Sequence, residues 1–408
     1  MNIRQAVVII LPWLFYLAAA HGVEHKLGGL LDLRFSVSDT LPSYLGGDYG
    51  KFQYADGATL APAQAALSYR GELTDAVSVH LVGLGYFGGV RDGAGLSEAY
   101  LQYRGLPSAQ GWRWQARAGL LYPQVSMVNI QTAWTSPYTL DFDTINSWIG
   151  EEVRHQGIDI ALTRLGNAHN SGHDFSAGMA VYRDNDPVGA MLSWHGWVLS
   201  SRQSLRHETL PLPQLEPGFV PAASDPFLEL DNRLGYHLRG QWHWHNHGKL
   251  LLGYYDNQAD PKVVERGQWA WTTRFAHLGV HWQLPGNIDL VAQYLAGDTL
   301  MQSSRSGTDL VNNGYHSGFV MLSKKVARHR LSARLEEFAV VDRDSIAADN
   351  NNEYGKAATL NYSYRLNRHW FLHSEYSWME SRRPARAAAG HSLNLTEQQW
   401  QLGVRFLF

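Results

Sequence analysis

The chain has 408 residues with 34 Lys+Arg against 37 Asp+Glu, a formal net charge of −3, so it lacks the basic excess of a nucleic-acid-binding protein. It contains no Cys, which excludes disulfide scaffolds, thiolate metal sites and thiol catalysis. Aromatic residues make up 12%, including 15 Trp and 20 Tyr, types that favour membrane interfaces, and the mean hydropathy of −0.29 argues against a bundle of membrane helices but not against a barrel with a polar lumen.

Residues 1–22 read as a signal peptide: Arg4 supplies the basic start, Ala6 to Ala19 are almost wholly apolar, and Ala18, Ala20 and Gly22 are the small residues of a cleavage site. The apolar run is shorter than the roughly 20 residues of a membrane span. Residues 23–408 then form one barrel domain. From Leu27 the residues at odd positions, Leu27, Gly29, Leu31, Leu33, Phe35 and Val37, are mostly apolar, and Asp32, Arg34 and Ser36 alternate with them. This period of two marks a strand with one lipid-facing side.

Further strands are predicted at Ala63–Arg70 and Val77–Phe87, then at Leu96–Arg104 and Trp112–Leu121. A long connection follows, residues 122–152, with Trp134, Pro137, Tyr138 and Trp148; it is too apolar for a freely solvated loop and of a length that is usually functional. It is expected to fold into the lumen, with packing over the rim or against a neighbouring subunit as the alternative. Strands at Val153–Arg164 and Asp174–Arg183 precede residues 184–233, whose prolines (Pro211, Pro213, Pro217, Pro221, Pro226) rule out central strands. That region is expected to be a large surface excursion, with an added hairpin in Val188–Leu199 as the alternative.

Rhythm returns with strands at Leu234–Trp244, Lys249–Tyr255, Trp271–Trp282, Ile288–Gly297, Tyr315–Lys324, Arg330–Val340, Tyr354–Tyr364 and Trp370–Glu380. The last strand, Glu397–Phe408, has Trp400, Leu402, Val404, Phe406 and Phe408 on one side and Glu397, Gln399, Gln401 and Arg405 on the other. The fold class is therefore an all-β transmembrane antiparallel barrel of about sixteen strands, or eighteen with the added hairpin. Short turns follow the even strands and longer loops the odd ones, which places the short turns and both termini in the periplasm of a Gram-negative cell and the long loops outside. Tyr103, Trp112, Trp114, Trp242, Trp244, Trp282, Tyr364 and Trp370 cluster beside the short turns as an interfacial belt.

The terminal strand ending on Phe408 resembles the closing strand of Gram-negative outer-membrane barrels, which implies recognition by the barrel-insertion machinery. The pattern over nearly the whole mature chain resembles a bacterial porin. The segments LSEAYLQYR (Leu96–Arg104) and RWQARAGLLYPQVSM (Arg113–Met127) are similar in layout to the phosphate-selective porin O and P type. That resemblance implies a sixteen-stranded, usually trimeric outer-membrane channel whose lumen is lined with basic residues. Here the inward positions carry both signs: Arg34, Arg70, Arg104, Arg113, Arg117, Arg239, Arg334 and Arg405 against Asp32, Glu98, Asp159, Asp289, Glu336 and Glu375.

Candidate pore-lining and constriction residues are Arg34, Arg70, Glu98, Arg104, Arg113, Arg117, Asp141, Asp143 and Glu151. Arg104, Arg113 and Arg117 are expected to oppose Asp141, Asp143, Glu151 and Glu152, setting up a transverse field that orients polar solutes; ordinary solvated pairing with neighbours such as Glu98 is the alternative. No H-E-x-x-H, G-x-S-x-G or phosphate-binding glycine loop occurs, so neither an enzyme, a metal site nor a cofactor is expected. The acidic loop Asp342 to Glu353 is expected to be solvated. Arg382, Arg383 and Arg386 are expected in water, or against lipopolysaccharide phosphates. The expected function is passive diffusion of small hydrophilic solutes or ions; a substrate-specific anion channel and a loop-displaying adhesin or structural barrel are the alternatives. The expected partners are the lipid bilayer, lipopolysaccharide and small polar solutes.

Overall fold

The computed structural model describes residues 23–213, 221–346 and 349–408. The segment read as a signal peptide, residues 1–22, lies outside the described residues. Sixteen strands close into one antiparallel barrel in chain order. They are β1 (Glu24–Asp39), β2 (Gly57–Glu72), β3 (Val77–Tyr86), β4 (Gly93–Arg104), β5 (Trp112–Leu121), β6 (His155–Arg164), β7 (His173–Arg183) and β8 (Gly235–Trp244). The second half is β9 (Gly248–Asp256), β10 (Thr272–Leu284), β11 (Ile288–Gln302), β12 (Asp309–Val326), β13 (His329–Asp342), β14 (Glu353–Arg365), β15 (Trp370–Arg382) and β16 (Asn394–Leu407).

The period-two pattern decides which way each side chain points. On β1, Leu27 is 63% exposed, and Leu31, Leu33 and Val37 share its outer face, whereas Asp32, Arg34, Ser36 and Ser38 are buried inside. On β16, Trp400 and Leu402 face out while Gln399, Gln401 and Arg405 face in. An apolar exterior around a polar interior is unstable in water and stable in lipid, and closure leaves no unpaired strand edge. Aromatic side chains gather at the short-turn end, where Trp242, Trp244 and Trp282 lie with ring centres 5.6–6.4 Å apart and Trp370 packs on Phe406 at 4.6 Å.

Each predicted strand has a counterpart, and several run further toward the extracellular end. The strand expected at Ala63–Arg70 spans Gly57–Glu72, and the one at Tyr315–Lys324 spans Asp309–Val326. Pro62 concealed the first extension, because a proline cannot donate to a ladder; the β1–β2 register slips between Asp32 and Arg34, next to it.

The region expected as a surface excursion, residues 184–233, is corrected by the structure. Residues 185–205 are buried, and Val188–Leu199 holds a short helix, α2 (Ala190–His195), rather than a hairpin. The 122–154 connection also turns inward and carries α1 (Thr144–Glu152), every residue of which is buried. A third connection, between β1 and β2, joins them: Tyr44, Tyr49, Lys51 and Phe52 are all buried.

The barrel closes where β16 meets β1, and Gly29 is a tight point on that seam. Its N–H donates to the Phe408 carbonyl at 3.0 Å, and a Cβ there would lie 2.3 Å from the Phe408 ring and 2.7 Å from the Ala66 carbonyl. Gly29→Val is expected to weaken closure by about 1–3 kcal/mol. The check is the temperature at which the compact electrophoretic form converts to the unfolded one, which falls relative to the same substitution at Gly89, where a Cβ meets nothing within 4 Å and the backbone is not left-handed.

Candidate functional site

In the extracellular half of the lumen the inward strand residues are cut off from bulk water and need partners there. Arg34 on β1 holds Asp32 at 2.9 Å and reaches Asp141 of the long connection at 3.1 Å, and all three side chains are inaccessible to solvent. Asp141 also accepts from Gln399 at 3.0 Å and Gln401 at 2.7 Å on β16. Glu375 on β15 takes the backbone N–H groups of Leu140 and Asp141 at 2.6 and 2.8 Å. Arg334 on β13 donates to the Phe142 carbonyl at 3.0 Å, and Glu336 accepts the Thr144 N–H at 2.8 Å. The connection leaves the wall at β5, and β13 lies eight strands round a sixteen-strand ring. It therefore crosses the lumen, as the sequence suggested.

Two further segments lock onto it. The Glu152 carboxylate, at the end of α1, accepts the Trp148 indole N–H at 2.7 Å and the Met191 N–H of α2 at 2.9 Å. Trp148 packs edge-on against Trp197, Phe275 and Tyr315 at 5.2–5.9 Å, and the Trp197 indole donates to the Ala339 carbonyl on β13 at 3.0 Å. From the first connection, Lys51 pairs with Glu353 at 2.6 Å and donates to the His195 carbonyl at 2.9 Å, and Gln53 accepts from Ser200 and Ser201. Burial draws the Lys51 ammonium down to about 8 against the pull of Glu353. Together residues 44–53, 134–152 and 185–205 make one buried, mutually hydrogen-bonded plug inside the extracellular part of the barrel.

Below the plug the lumen is wet. Tyr100, Gln102, Arg113, Gln115, Ser176, Gln241 and Lys249 are partly accessible on β4, β5, β7, β8 and β9, and Arg70 and Arg104 are exposed at the periplasmic end. Above these vestibule residues Arg117 is buried, pairs with Asp159 at 3.2 Å and lies over the Tyr100 ring. Asp159 is also gripped by both guanidinium nitrogens of Arg239 at 2.7 and 2.8 Å.

The expected site residues therefore divide. Arg34 and Asp141 meet each other in the plug, Asp143 caps α1 by accepting the Asn146 N–H at 2.9 Å, and Glu151 faces His195 at 3.1 Å. Arg70, which pairs with Glu72 at 3.3 Å, lies with Arg104 and Arg113 along the vestibule, and Glu98 is half-buried near Arg117. The expected opposition of Arg104, Arg113 and Arg117 to the loop carboxylates is not formed. Arg117 is met by Asp159 on the adjoining strand β6, and Asp141 by Arg34, because those partners stand directly across the pleat or the plug contact.

Two outer-loop expectations are also corrected. Arg383 and Arg386 are neither solvated nor free for lipopolysaccharide: both are fully buried, Arg383 donating to the Trp194 carbonyl at 3.0 Å and Arg386 to Ser381 Oγ at 2.7 Å. In the acidic loop, Asp349, Asn351 and Glu353 are buried rather than solvated. The roles of Lys51, Glu353 and Gln53 left no trace in periodicity, since irregular backbone holds Lys51 and Gln53 and their partners are remote in sequence.

No family model and no curated protein matches the chain. Its fold is similar to the outer-membrane channel DcaP of Acinetobacter baumannii, with a TM-score of 0.53 at 11% identity over 95% of this chain and 98% of that one. It is similar to OprB of Pseudomonas putida, with a TM-score of 0.53 at 11% identity over 96% of each chain. It is also similar to an anion-selective porin from Comamonas acidovorans, with a TM-score of 0.52 at 13% identity over 95% of this chain and all of that one. The likeness is one of fold: a closed sixteen-stranded barrel of the outer-membrane porin type.

Two predictions follow from the plug contacts. Asp141→Ala strips Arg34 of one buried partner and frees the amides of Gln399 and Gln401, and is expected to cost about 3 kcal/mol, seen as a lower urea midpoint of tryptophan fluorescence. In the buried start of the 184–233 connection, burial together with Glu229 and Asp231 pushes the Asp186 carboxyl from 3.8 up to about 7, against the pull of the Leu230 and Asp231 amides. A raised acid holds its proton in the folded form, so its contribution is complete below about pH 4 and lost as pH rises through 7. Proteolysis within residues 184–234 is expected to be faster at pH 8 than at pH 5, and Asp186→Asn is expected to flatten that difference.

Proposed function

We propose that the protein is a porin-like channel of the outer membrane that passes small hydrophilic solutes or ions by passive diffusion, with the inserted connections as its constriction. The observation carrying this reading is the division of the lumen into a wet, charged periplasmic vestibule and an extracellular plug held by ion pairs. A barrel of this strand number leaves an aqueous interior unless something fills it, and here separate loops fill it, not the barrel wall. Flux then depends on how far the loop contacts around Asp141, Glu152 and Lys51 yield. Arg70, Arg104 and Arg113 along the vestibule support a preference for anions, tempered by Glu72 and Asp174. Side-by-side trimers, with no catalytic role, complete the reading, which rests there on the resemblance to porins.

A second reading, a barrel that chiefly displays its loops, is favoured by the cluster around Trp148, a continuous set of buried apolar residues inside the barrel.

Planar-bilayer conductance separates the two. The wild-type protein is expected to conduct in small steps, Asp141→Ala in larger or more frequent ones, and deletion of residues 186–232 in larger ones still. The reversal potential under a salt gradient is expected to carry the anion-selective sign. A folded deletion variant that passes no current contradicts the channel reading and leaves the display reading standing.

A further inference from the structure

Away from the plug, at the periplasmic end of β7 and β8, a carboxylate and two imidazoles converge on the lumen wall. The sequence His243-Trp244-His245-Asn246-His247 leaves β8 for the turn into β9. Strand alternation puts Trp242 and Trp244 on one face and His243 on the other, directly across from Asp174 on β7. His245 opens the turn, where its backbone N–H is fixed by the Gly172 carbonyl at 2.8 Å. Asp174 Oδ2 lies 3.7 Å from His243 Nδ1 and 3.0 Å from His245 Nε2, and the three atoms all fall within 4.8 Å of one another. The other carboxylate oxygen accepts the Gly166 N–H at 2.7 Å, which orients the group and leaves Oδ2 turned toward the imidazoles.

We propose that Asp174, His243 and His245 form a binding site for a divalent transition-metal ion of the zinc class at the periplasmic mouth of the lumen. Two imidazoles and one carboxylate suit such an ion, and bonds of about 2.0–2.2 Å in tetrahedral array put neighbouring ligand atoms about 3.3 Å apart, between the two separations found here. The His243 side chain is 45% exposed, so the fourth coordination position opens to the vestibule and to water. The site uses no residue of the plug and stands whether or not the channel conducts.

The test uses the untagged full chain in detergent, titrated with zinc chloride against a chromophoric chelator. One equivalent of zinc is expected to bind. Asp174→Asn and the double variant His243→Ala/His245→Ala are each expected to lose about tenfold or more in affinity, while His169→Ala/His173→Ala keeps it. A measurement on unaltered protein runs beside this: zinc is expected to shield His243 and His245, but not the exposed His207, from carbethoxylation read by mass spectrometry. No binding at micromolar zinc, binding that survives loss of both histidines, or shielding that ignores His243 and His245 each overturns the proposal.

Discussion

The structure depends on the neutralisation of charges that the barrel fold turns inward. A strand that shows leucines to lipid must show its alternate residues to the lumen, and on β1 and β16 those are Asp32, Arg34 and Arg405. Arg405 holds Asp32 at 2.8 Å, Asp32 holds Arg34, and Arg34 reaches the loop at Asp141, so the seam of the barrel and its plug are one electrostatic unit. Such groups are stable at depth only when paired, and removing one partner is far more costly than the pair is beneficial. The buried stretches 140–152 and 185–205 consequently run into the barrel. They carry the counter-charges and backbone amides that the wall requires.

The same logic explains the asymmetry of the lumen. The extracellular connections are long enough to cross the ring, and α1 and α2 bring the aromatic mass of Trp148, Trp194 and Trp197 with them. The periplasmic turns are short and cannot reach inward, so Arg104, Arg113 and the Asp174 cluster stay in water. A solute path through the proposed channel would run from the accessible strand wall to a plug made of loops, the kind of element from which low-stability local openings are drawn.

Much of the fold was legible in the sequence because a lipid-facing barrel enforces a period of two. The outward Leu27, Leu31 and Leu33 and the outward Trp400 and Leu402 could be assigned from alternation alone, and so could the inward Asp32, Arg34 and Gln401. The inward course of residues 122–152 was signalled by Trp134, Tyr138 and Trp148, which are too apolar to be solvated. Residues 184–233 misled because prolines late in the segment suggested a surface course for all of it, although the buried half is the earlier one, with Trp194 and Trp197. Partnerships were the least legible feature. Arg383 with the Trp194 carbonyl and Lys51 with Glu353 join residues far apart in sequence through irregular backbone, where no periodicity records direction.

The most direct test of the plug uses the absence of native cysteine, which makes an introduced pair the only thiols in the chain. The Leu140 methyl groups come within 3.1 Å of where a Cβ on Gly403 of β16 would sit. In Leu140→Cys/Gly403→Cys a short, reducible bifunctional thiol reagent is expected to bridge the pair and hold bilayer conductance low, with conductance rising when reductant is added. Failure of the two thiols to cross-link, or a conductance indifferent to the bridge, would contradict a loop that crosses the lumen and governs it.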